Sequence, residues 1–137
     1  MHEDRPTKLK VSIGGFMGPS FSIQLQENGM VVYEAYGGGH ILEDRVEIRP
    51  TGSEWAGFLE EINRLGVWKW RREYSLQVCD GTQWKLEVEH AGRNIEVFGS
   101  NCYPSADGSP NCSPTPTECF EQFCVAVSKL AGGRPFR

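Results

Sequence analysis

The sequence predicts an α+β domain: an antiparallel sheet of about six or seven strands with two helices packed on one face. Three observations carry this. Each strand-like stretch alternates apolar with polar residues, as a sheet buried on one side requires, whereas parallel strands are apolar on both faces. Two longer stretches place apolar residues at helical spacing. The order is four strands, a helix, three strands and a helix, which suits helices gathered on one side of a sheet.

The chain of 137 residues fits a single domain able to bury roughly two-thirds of the surface its unfolded form exposes. Within it, residues 1–7 read as a loose arm, 99–117 as a long polar loop and 133–137 as a tail. A 39% hydrophobic fraction with four Trp, seven Phe and four Tyr suffices for a core. The net charge of −4 argues against a phosphate-backbone binder, which needs a basic face. The opening Met1-His2-Glu3-Asp4 is charged and lacks a signal-peptide pattern. No stretch reaches the roughly 20 apolar residues of a membrane span. The five cysteines are Cys79, Cys102, Cys112, Cys119 and Cys124. An odd count without a secretion signal favours reduced thiols and a cytoplasmic location.

Leu9, Val11 and Ile13 alternate with polar neighbours in the first strand. The turn Gly14-Gly15-Phe16-Met17-Gly18-Pro19 is glycine-rich but leads into a strand, where a phosphate loop needs a helix. Phe21, Ile23 and Leu25 mark the second strand. Asn28-Gly29 reads as a two-residue hairpin turn. It pairs Leu25 with Val32, Gln24 with Tyr33 and Ile23 with Glu34, so Val32, Glu34 and Tyr36 face inward. An inward Glu34 is either a poised acid of raised pKa or a residue freed into water by a bulge. Gly37-Gly38-Gly39-His40 reads as a flexible loop, and Val46 and Ile48 mark a fourth strand stopped by Pro50.

Thr51-Gly52-Ser53-Glu54 matches a capping box. Trp55, Phe58, Leu59, Ile62 and Leu65 then form one stripe, and Gly66 closes the helix. In Val67-Trp68-Lys69-Trp70 an extended chain puts both indoles on one side, fit to stack a ring or to seal a helix–sheet seam. Tyr74, Leu76 and Val78 give a short fifth strand, followed by the turn Asp80-Gly81.

Trp84, Leu86 and Val88 face Ile95, Val97 and Gly99 across an Ala91-Gly92 turn: Val88 meets Ile95, Leu86 meets Val97, and Trp84 meets Gly99. The same register sets Glu87 opposite Glu96, with Glu89 two residues along. Like charges across a strand pair repel. Either a neighbouring strand bearing Arg45, Arg49 or Lys10 neutralises them, or they offer an acidic patch to a basic partner. The Gly99–Thr117 stretch is rich in Gly, Ser, Asn and Pro and holds Cys102 and Cys112. A disulfide between these two, a zinc site and independent thiols are all open, although the spacing lacks a Cys-x-x-Cys knuckle. The last helix starts near Thr117 and stacks Phe120, Phe123, Cys124, Val127, Leu130 and Ala131.

Pro19-Ser20-Phe21-Ser22-Ile23-Gln24-Leu25, Trp55-x-x-Phe58, Val67-Trp68-Lys69-Trp70, Asp80-Gly81-Thr82-Gln83-Trp84 and Gly99-Ser100-Asn101-x-Tyr103-Pro104 resemble a group of small bacterial proteins of unassigned function. The resemblance spans about Pro19 to Leu130. It implies a bacterial single domain, no catalytic residue, and a small residue at the Cys102 position, which makes the cysteine cluster a departure.

No motif implies a reaction. The favoured reading is a non-catalytic protein-binding module of inhibitor or immunity type. Its contacts are Glu87, Glu89 and Glu96 on the outer sheet face, with Ser100, Asn101 and Tyr103 in the long loop. A second reading is a small-ligand or carbohydrate binder using Trp68, Trp70 and the Ser100–Tyr103 segment. A third is an enzyme with Glu34 or Asp80 as its acid. No cofactor or metal is expected, nor a nucleic-acid or membrane partner.

Overall fold

A computed structural model of the protein describes residues 5–15, 18–75, 81–113 and 115–137. The strands are β1 (Lys8–Gly14), β2 (Ser20–Leu25), β3 (Val31–Gly37), β4 (Ile41–Ile48), β5 (Glu73–Ser75), β6 (Gln83–His90), β7 (Arg93–Ser100), β8 (Tyr103–Pro104) and β9 (Pro110–Asn111), and the helices are α1 (Gly52–Arg64) and α2 (Glu118–Leu130). Seven strands form one sheet in the order β4-β3-β2-β1-β6-β7-β5, and β8 and β9 form a small separate hairpin. The α+β class and the helical face are as the alternation predicts. One edge departs from it, since β5 runs parallel to β7. The expected positions Leu76, Val78, Cys79 and Asp80, like Phe16, Met17 and residues 1–4, lie outside the described residues.

Alternation along each strand sends Leu9, Val11, Ile13, Phe21, Ile23, Trp84, Leu86, Val88 and Val97 to one face, where all are buried. The helices cover that face. Thr51 caps α1 with a reciprocal capping box to Glu54, and Trp55, Phe58, Leu59 and Ile62 turn inward. Thr117 caps α2, which buries Phe120, Phe123, Cys124, Val127 and Leu130. Within the sheet, Trp84 of β6 lies over Gly99 of β7, and a Cβ on that glycine would overlap the indole. The Trp84 indole N–H donates to the Cys102 carbonyl at 3.1 Å.

The β6–β7 register is the expected one, with Leu86 opposite Val97 and Trp84 opposite Gly99. Ala91 and Gly92 take φ of 51° and 81°, as a two-residue turn demands. The β2–β3 register differs by one residue. Leu25 faces Val31, Ile23 faces Tyr33 and Ser22 faces Glu34. The cause is the turn. Gln26 N–H donates to the Met30 carbonyl at 2.8 Å, and Gly29 N–H to the Gln26 carbonyl at 3.0 Å. Glu27-Asn28-Gly29 is therefore a three-residue loop with only Gly29 left-handed, at φ 88°. One added loop residue moves every later side chain to the opposite face. Val31 and Tyr33 are inward, and Glu34 and Tyr36 point outward.

Two peripheral expectations also change. The 133–137 tail is packed: Phe136 is buried against Phe21, and the Tyr33 hydroxyl donates to the Pro135 carbonyl at 2.7 Å. The 99–117 stretch is ordered by the β8–β9 hairpin and by a Cys102–Cys112 disulfide, which replaces the expected free thiols there. The Tyr74 hydroxyl donates to the Gly108 carbonyl at 2.5 Å and fixes its tip. Cys119 and Cys124 are free.

Candidate functional site

With the helices on one side, the opposite face of the sheet is the broad surface among the described residues that no element covers. Strand pairing sets its side chains in rows. One row runs Phe98, Lys85, Ser12, Ser22, Glu34, Arg45, and the next runs Glu96, Glu87, Lys10, Gln24, Val32, Glu47. A third begins Asn94, Glu89, Lys8.

The three expected glutamates lie on this face, but β1 runs beside them. Lys8 Nζ sits 2.8 Å from Glu87 Oε2. The Lys8 hydrogen bond holds the Glu87 carboxyl below its ordinary range, with Coulombic help from Lys8 and Lys10, and Lys8 is raised in return. The Thr7 hydroxyl donates to Glu89 Oε1 at 2.8 Å. Glu87 and Glu96 do stand opposite each other. The neutralising strand is β1, carrying Lys8 and Lys10, and neither Arg45 nor Arg49 takes that role.

The loop residues separate. Ser100 stays half-exposed at the end of β7. Asn101 is buried; its N–H donates to the Thr82 carbonyl at 3.0 Å and its Oδ1 accepts from Thr82 N–H at 3.1 Å. Tyr103 is 1% exposed, and burial pushes its phenol pKa up. These two hold the loop against the core and offer little contact area. The two tryptophans diverge because Val67–Lys69 forms a 3₁₀ turn in place of an extended run. Trp70 is 5% exposed and packs on Trp84 and Phe123, which removes it from any ring-stacking surface. Trp68 is half-buried, donates to Asn63 Oδ1 at 2.7 Å and carries Arg93 over its ring.

Glu34 is outward and held. Arg45 Nε lies 3.6 Å from Oε2, and the Tyr36 hydroxyl donates to Oε1 at 2.9 Å. That hydrogen bond, with burial, raises the Tyr36 phenol. The inward position expected for Glu34 is not the one formed, because the turn sets the other register. Asp80 lies outside the described residues. Burial pushes the Cys124 thiol up to about 12 and the Cys119 thiol upward, the reverse of an activated nucleophile. No group of three metal-ligating side chains occurs among the described residues, and no described helix is long and apolar enough to cross a membrane.

One feature of this face was not anticipated. A groove of about 500 Å³ is lined by Ser12, Ser22, Tyr36, Phe98, Lys85 and His40, among others. Its sequence signal was Phe98, an aromatic residue at an outward position. Tyr36, which also lines it, is turned outward by the three-residue loop, against the parity that a two-residue turn predicts. No protein-family model matches the chain, and no curated protein matches it significantly.

Proposed function

We propose that the protein is a non-catalytic binding module, of inhibitor or immunity type, that captures a protein partner on the uncovered face of its sheet. The observation that carries this reading is the composition of that face. Val32, Tyr36 and Phe98 lie among alternating Lys8, Lys10, Lys85, Arg45 and Glu34, Glu47, Glu87, Glu96. Aromatic anchors within a charged polar field match the anatomy of protein interfaces. Charges already paired within the sheet favour register and specificity over bulk attraction. The contact set therefore shifts from the three glutamates alone to the central rows. The Cys102–Cys112 disulfide favours an oxidising compartment over the expected cytoplasm.

The test is affinity capture from the native host with Phe98→Asp/Lys85→Glu, beside Val125→Asp on the exposed surface of α2. A partner held by the wild type and by V125D, but lost with the sheet-face variant at unchanged thermal stability, supports the reading. Equal capture by all three ends it. The groove supports a second reading, since its volume lies within the range of small-ligand sites. Native mass spectrometry of the purified protein separates the two, because a retained small molecule that Phe98→Asp releases favours the ligand.

A further inference from the structure

We infer that β4 is a homodimerisation edge, pairing antiparallel with β4 of a second copy about a two-fold axis at Val46. The sheet ends at β4, whose outer side has no neighbour among the described residues. An edge strand presents unpaired N–H and C=O groups that template another strand. Six of its eight residues are exposed.

The second copy is singled out by the charges. The regular part of β4 is Asp44–Ile48, because a bulge interrupts its pairing with β3 between Ala35 and Tyr36. Val46 facing its own copy leaves the sides of the sheet continuous, so the two outer faces join. Arg45 then stands opposite the partner's Glu47, and Glu47 opposite the partner's Arg45. Both residues lie on the outer face, at half-exposed side chains. Within one chain Arg45 is already flanked by Glu34 at 3.6 Å and Glu47 at 3.3 Å. Two copies convert these into an alternating four-charge cluster, with opposite charges directly across the strands, the favourable cross-strand arrangement. Centring the pair on Asp44 or Arg45 sets like charges face to face, so the charge pattern selects one register. On the inner side Val46 meets the partner's Val46, and Asp44 meets the partner's Ile48 at the ends of the ladder, where water reaches the carboxylate.

The same charges and bulge are also the means by which monomers blunt an edge, and sedimentation velocity over a wide concentration range decides between the two. The expected result is a concentration-dependent dimer that is lost in Arg45→Glu and in Glu47→Arg and regained in the double variant. E47R leaves the Arg45–Glu34 pair in place, so its loss of dimer, with the melting temperature unchanged at dilutions where the wild type is also monomeric, reports the interface. A monomer at every concentration overturns the inference. So does a dimer indifferent to either single reversal, or a double variant that stays monomeric.

Discussion

Gly99 matters for what it lacks. Trp84 lies on it from the neighbouring strand, and a methyl group there would overlap the indole that Tyr74, Tyr103 and Phe120 also pack against. The indole cannot withdraw without breaking its bond to the Cys102 carbonyl. Gly99→Ala is therefore expected to destabilise the protein by about 1–3 kcal/mol, the usual cost of overpacking. The urea midpoint measures this, and a midpoint within error of the wild type means the indole is free to shift. This contact was legible in the sequence, because the alternation on both sides of Ala91-Gly92 admits one register. Glu34 was not. Val31 and Val32 are both apolar, as are Tyr33 and Tyr36, so either parity of β3 builds a credible inward face. The choice falls to a turn whose Asn-Gly pair serves two loop lengths.

Among the elements, the 99–117 stretch shows how composition misleads. Gly, Ser, Asn and Pro describe a loop, yet Asn101, Cys102, Tyr103 and Pro104 are buried and β8 pairs with β9. Four ties hold it: Asn101 to Thr82, Trp84 to Cys102, Tyr74 to Gly108, and Thr117 to the Pro104 carbonyl at 2.6 Å. None of these partners is close in sequence, so no local pattern announces them. The disulfide closes a segment with a sequence separation of 10, for which loop-closure entropy gives roughly 3 kcal/mol. Reduction, or Cys112→Ser, is expected to lower the urea midpoint by a matching amount. The loss should be equal in the two cases. A midpoint insensitive to reductant, with the exposed Cys112 alkylated in the native protein, would show that the thiols are unpaired and restore the cytoplasmic reading.

Across the whole molecule, the sheet's order decides what the outer face is. Local alternation identifies Glu87, Glu89 and Glu96 as outward but cannot say that β1 is inserted between β2 and β6, and with it Lys8 and Lys10. The same long-range pairing brings Ser12, Ser22, Lys85 and Phe98 into one row. The packed tail follows likewise from Tyr33 facing inward, where its hydroxyl meets Pro135. The core this creates has a titration signature. Burial raises the phenols of Tyr33, Tyr74 and Tyr103 and the thiols of Cys119 and Cys124. The folded protein therefore retains protons that the unfolded chain releases, and its stability falls as pH rises above the unfolded values. For Cys124 the window opens at the ordinary thiol value of 9.0 and extends to about 12. The urea midpoint is expected to stay level from neutrality to about pH 8.5 and then decline steadily as thiols and then phenols ionise in the unfolded chain. Cys124→Ala should flatten the first part of that decline and leave the later, phenolic part. A midpoint constant to about pH 11 would mean that these groups reach water without unfolding, and that the aromatic layer beneath the sheet is looser than its packing implies.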